Sequence, residues 1–88
     1  LILDAAGRLD PKPAEFYATR LRLANLADQL GISPAASGTE RRGWLELAIA
    51  IRPSFAEPYF YYAAYLESRG DHDEAEDLRA VAQRFAPD

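Results

Sequence analysis

Residues 56–87 read Ala56-Glu57-Pro58-Tyr59-Phe60-Tyr61-Tyr62-Ala63-Ala64-Tyr65-Leu66-Glu67-Ser68-Arg69-Gly70-Asp71-His72-Asp73-Glu74-Ala75-Glu76-Asp77-Leu78-Arg79-Ala80-Val81-Ala82-Gln83-Arg84-Phe85-Ala86-Pro87. Tyr59, Tyr62 and Leu66 recur at helical spacing. Leu78, Val81, Ala82 and Phe85 follow the i, i+3, i+4, i+7 rule of a helix with one apolar face. Gly70 stands between the two stripes, where a left-handed residue ends a helix at little cost. Asp71 followed by Glu74 has the spacing of a capping box. Pro58 fits a first turn, in which its missing N–H has no helical partner to lose. The stretch therefore predicts two helices, about 56–69 and 73–86, joined by a tight turn.

The same signals continue upstream. Leu23, Leu26, Ala27 and Leu30 keep helical spacing, as do Trp44, Ala48 and Ile51 beside Leu45 and Ile49. Pro11, Pro13, Pro34, Pro53 and Pro87 fall between the periodic segments. Ser37 with Glu40, and Ser54 with Glu57, supply two more expected capping boxes. Helices are predicted over 13–30 and 40–51, and residues 1–8 read as the end of an earlier helix. No stretch alternates apolar and polar residues as a half-buried strand would.

Composition agrees with an all-α fold. There are 17 Ala and 11 Leu against only 7 Thr, Val and Ile together. The first two lose little side-chain freedom in a helix, whereas β-branched residues lose more. Apolar residues make up 49% of the 88 residues, enough for a core and too many for a disordered tail. Ten basic against fourteen acidic residues leave a net charge of −4, which argues against nucleic acid as a partner. No apolar run reaches the length of a membrane span. With no Cys, disulfide frameworks and thiolate metal sites are excluded. Met is absent too, even at residue 1, so the chain reads as an excised or processed segment.

An internal repeat is visible. Ala14-Glu15-Phe16-Tyr17 after Pro11 parallels Ala56-Glu57-Pro58-Tyr59 after Pro53. Ala6, Ala48 and Ala82 each precede a proline by five residues. The later copy resembles the tetratricopeptide repeat, a 34-residue helix–turn–helix unit. Tyr62-Ala63 stands where that family has its Leu–Gly pair, and Ala75 and Ala82 match its two small second-helix residues. Small side chains at such crossings let two helix backbones approach closely. Arg79 and Leu66 depart from the family pattern. The earlier copy is less regular: Arg41 occupies the place of the first small alanine, and extra length falls at 31–39 and in a longer first helix.

The resemblance implies stacked antiparallel helix–turn–helix hairpins, about two repeats of an α-solenoid, in one domain over 1–88. Residues 1–11 would end a preceding repeat, 12–53 form an irregular repeat and 54–88 a regular one. It further implies a non-catalytic scaffold that binds a protein or peptide along a groove lined by first helices. Carried over by position, the groove residues are Glu57, Phe60, Ala64, Glu67 and Ser68, with Glu15, Ala18, Arg22, Asn25 and Leu26 from the early copy. Phe60 is the expected anchor, Tyr61 and Tyr65 are further surface candidates, and Arg22 with Asn25 is the pair suited to a carboxylate. Rival expectations are a substrate-presenting segment of a larger enzyme, such as a transferase or hydroxylase, and a homodimer formed through uncapped end faces.

Other residues have plainer readings. The acidic run Asp71-His72-Asp73-Glu74 lacks the spacing and central glycine of a calcium loop, and acids at a helix start are favoured by its dipole. His72 is the only histidine and has no nucleophile at a recognisable spacing, so it reads as a solvated turn residue. Arg41-Arg42 with the flanking Arg52 has the chemistry to meet a phosphate or an acidic partner, but exposed helix arginines are common and the net charge is acidic, so the pair reads as solvated. No cofactor, metal or catalytic residue is expected.

Overall fold

The computed structural model describes residues 12–32 and 36–86. The expectation for residues 1–8 lies outside them, as do Pro11, Pro34 and Pro87. Four helices follow in order: α1 (Ala14–Leu30), α2 (Gly38–Ile51), α3 (Glu57–Ser68) and α4 (His72–Phe85). No strand occurs among the described residues. The chain is all-α, built from helical hairpins.

Both hairpins are antiparallel, as their contacts show. The C-terminal half of α1 meets the start of α2 through Asp28 and Arg41, while Glu15 near its beginning meets Arg52 just past the end of α2. In the second hairpin Glu67 binds Arg79, and the rings of Tyr59 and Phe85 lie 5.9 Å apart. α3 packs against all three other helices, so it is the centre of the fold. α1 has 17 residues and α3 has 12, matching the longer early first helix.

Turn chemistry explains the boundaries. Gly31 and Gly70 have φ of 71° and 86°, the left-handed region that glycine enters without strain. In each, a paired 6→1 and 5→2 bond closes the helix: Ile32 N to Ala27 O with Gly31 N to Asp28 O, and Asp71 N to Leu66 O with Gly70 N to Glu67 O. Ser37 and Glu40 form the expected reciprocal capping box. The other two boxes do not form. α3 starts from Ala56 without a side-chain cap, because the chain turns tightly at 52–55 and Pro58 stands in the first turn. Asp71 also makes no side-chain cap, and Glu74 reaches instead to Arg42 on α2.

Alanine sits at the helix crossings. Ala63, Ala75 and Ala82 are fully buried, and Ala14, Ala18 and Ala48 nearly so. Around them Leu21, Leu45, Tyr59, Tyr62, Tyr65 and Leu66 make the main core, with Trp44, Ile49, Leu78 and Val81 packed on it. Tyr65 is therefore a core residue and not a surface candidate. In α1 the buried side is Ala14, Tyr17, Ala18, Leu21 and Ala24. The leucines whose spacing announced this helix point the other way: Leu23, Leu26 and Leu30 are 50%, 45% and 66% exposed. Among the described residues no helix is long and apolar enough to cross a membrane.

Replacing Ala63 with Leu forces methyl groups into a crossing that has no room for them. Ala63→Leu should lower unfolding stability by about 1–3 kcal/mol. A urea titration followed by circular dichroism checks this. An unchanged midpoint would mean that the α3–α4 approach is not set by residue size.

Candidate functional site

α1 and α3 lie side by side, and a shallow groove runs between them. One part, about 330 Å³, is lined by Arg22, Asn25, Leu26 and Gln29 of α1 with Tyr61 and Ala64 of α3. It continues into a smaller hollow of about 110 Å³ bordered by Asn25, Asp28, Gln29, Ala64, Tyr65 and Ser68. Four of the six principal residues expected from sequence, Arg22, Asn25, Tyr61 and Ala64, are thus brought together. Phe60 and Glu67 are not among the lining residues. Phe60 packs half-buried against the main core, and Glu67 is held by Arg79 at 2.6 Å and by His72 across the turn. Ala18 is buried and lines no open surface. Glu15 pairs with Arg52 at 2.7 Å.

The distance between α1 and α3 is fixed by a polar network whose centre is Arg41. Its side chain is only 1% exposed, which overturns the reading of Arg41 as a solvated partner of Arg42. The guanidinium makes a two-pronged ion pair with Asp28, at 2.8 Å from Nη1 and 2.9 Å from Nη2. Nη1 also donates to Asn25 Oδ1 at 3.1 Å, and Nε to the Ala36 carbonyl at 3.0 Å. Its flat face lies 4.1 Å from the centre of the Tyr65 ring, within the range of a cation–π contact. Arg69 donates to the Tyr65 hydroxyl at 2.9 Å, which holds that ring in place. No buried side-chain polar atom lacks a partner among the described residues.

Asn25 passes this network on to α3. Its Nδ2 donates to the Tyr61 carbonyl at 2.9 Å while its Oδ1 accepts from Arg41. Both ends of the amide are committed, so Asn25 serves as a brace in the groove floor. Among the lining residues Arg22 is the one cation that a carboxylate bound here would meet. Gly38 permits the close fit of α2 against Tyr65: a Cβ there would lie 3.0 Å from the Tyr65 hydroxyl.

Asp28, Gln29 and Arg41 escaped the sequence reading as site residues. A signal for Arg41 was present. It lies 34 residues before Ala75, as Ala48 lies 34 before Ala82, and all four positions are buried. The repeat register marks 41 as an inward position, but an arginine there reads as exposed unless its acceptors are known.

Electrostatics set the character of the rim. The Tyr61 phenol is pushed above its ordinary value, first by burial and then by the Glu57 carboxylate, while Arg22 pulls the other way. Tyr61 therefore stays protonated at neutral pH and its hydroxyl can donate, as it does to Glu57 at 3.5 Å. Hydrogen bonds from Arg79, then from His72, hold the Glu67 carboxyl below the usual range. No group of three or more metal-ligating side chains occurs among the described residues. No protein-family model, curated protein or solved structure matches the chain.

Removing Asp28 leaves a desolvated guanidinium without its counter-charge. Asp28→Ala should cost about 1–3 kcal/mol in unfolding stability, measured by urea titration at neutral pH. No loss would show that the ion pair does not hold α1 to α2. Acidification tests the other cluster. Because its folded value is depressed, Glu67 stabilises the fold above the ordinary carboxylate range, and that contribution is lost as pH falls through the folded value. The thermal midpoint of Glu67→Gln should therefore decline less steeply than wild type on acidification below about pH 4.3. Parallel profiles would remove Glu67 from the acid response.

Proposed function

We propose that this chain is a non-catalytic interaction module of the tetratricopeptide type, which binds a protein or peptide partner along the α1–α3 groove. One observation carries the reading. α1 and α3 stand next to each other, and both turn side chains into one open trough, the arrangement expected when successive hairpins offer their first helices to a ligand. The buried alanines spaced 34 residues apart support the repeat character. The trough mixes aliphatic, aromatic and amide surface with a single arginine. Such a lining suits side-chain recognition of another polypeptide more than the tracking of a phosphate backbone.

Ala64 provides the test, because it is exposed and lies in both parts of the groove. Ala64→Arg should leave helicity unchanged and fill the trough. Affinity capture with the wild-type chain and with Ala64→Arg, followed by identification of bound proteins, should give partners that only the wild type retains. The same proteins bound by both, or none bound by either, would defeat the proposal.

A further inference from the structure

The outward side of α1 is apolar along its second half. Leu23, Leu26 and Leu30 are all about half-exposed or more, and at 100° per residue they fall within about 60° of arc and about 10 Å of axis. Scattered exposed leucines need no explanation, but three at i, i+3 and i+7 form a ridge of the type that seats another helix. Leu26 also lines the α1–α3 groove, so the ridge and the trough are one continuous surface.

Charge identifies what would cover it. α1 carries two acids and two bases. Both acids are already neutralised from elsewhere, Glu15 by Arg52 and Asp28 by Arg41. Neither base has a carboxylate partner among the described residues. Arg20 lies over the rings of Phe16 and Trp44, and Arg22 stands exposed at the groove edge. On a chain of net charge −4, this helix is a locally positive strip beside an apolar ridge. From this we infer that α1 receives an amphipathic helix from another protein, with its apolar stripe on Leu23, Leu26 and Leu30 and an acidic residue on the flank facing Arg22. A second copy fits less well. Two α1 helices paired antiparallel about a two-fold axis meet flank to like flank, which sets Arg22 against Gln29 of the copy and gives it no carboxylate. An extended segment fits less well too, because the ridge has helical spacing and no strand edge exists among the described residues to pair with it.

The inference rests on the interaction-module reading and narrows it, and its test is separate. The probe is a synthetic 18-residue helical peptide with leucines at i, i+3 and i+7 and glutamates on one flank, titrated calorimetrically into the full chain. Matched peptides carry Lys for Glu, or two central prolines. The Glu peptide should bind. The Lys peptide should bind about five-fold more weakly, the worth of one exposed ion pair, and the Pro peptide should not bind. Leu26→Asp should weaken the Glu peptide roughly ten-fold or more. Arg22→Glu should reverse the preference between the Glu and Lys peptides. Equal binding of those two peptides, or insensitivity to Leu26→Asp, overturns the inference. Binding of the Pro peptide as strongly as the helical one overturns the helical partner but leaves the interaction module intact. No peptide binding, with a dimer in light scattering that Leu26→Asp dissolves, gives the face to a second copy and overturns the acidic helix. No binding and no dimer overturns it as well.

Discussion

A guanidinium cut off from water must find its acceptors within the protein, and Arg41 finds them on three sides. Asp28 supplies charge, Asn25 and the Ala36 carbonyl supply further acceptors, and Tyr65 supplies a π face. These groups belong to α1, to the connection before α2 and to α3. One side chain of α2 thus ties three parts of the fold together, and Asn25 extends the tie to the backbone of α3. Ion pairs of this kind add little stability compared with a well-packed apolar replacement. What they impose is geometry, because a two-pronged pair tolerates little displacement. The spacing of α1 and α3, and with it the groove, follows from that geometry.

The second hairpin is held differently. Its centre is a set of alanines without bulk, with Tyr59, Tyr62 and Leu66 filling the space beside them. Its polar contacts stay at the edge, where Glu67 gathers Arg79 and His72 around the turn and Arg42 reaches Glu74 from α2. A position that holds Ala75 in one hairpin holds Arg41 in the other, and both are inaccessible to water. The early hairpin accommodates the larger group because its connection is longer and offers a free carbonyl at Ala36, which the tight turn at Gly70 has no room to provide.

Charge is unevenly spread. The acids of α1 are paired with arginines elsewhere in the chain, whereas its own arginines have no carboxylate partner among the described residues. The groove edge consequently combines apolar surface with the unpaired cation Arg22, and the Glu57 carboxylate stands at the Tyr61 hydroxyl. Solvated α4 carries the opposite character, with Asp73, Glu76 and Asp77 all exposed.

Much of the backbone was legible in the residues themselves. Glycine at 31 and 70, proline between segments and Ser37 with Glu40 act over a few neighbours, so four helices and their limits follow from local chemistry. Ala63, Ala75 and Ala82, expected at crossings from the resemblance to the tetratricopeptide repeat, are buried. The facing of α1 does not follow from local chemistry. That helix has apolar residues nearly all round, and spacing alone cannot choose between Leu21 with Tyr17 and the run Leu23, Leu26, Leu30. The choice falls to the side that meets the aromatic and alanine surfaces of α2 and α3. The same holds for Arg41, for the half-buried Phe60, and for the two caps that did not form at 54 and 71. Each depends on atoms distant in sequence, on which a hydrogen bond or a buried surface can draw only once the hairpins have come together.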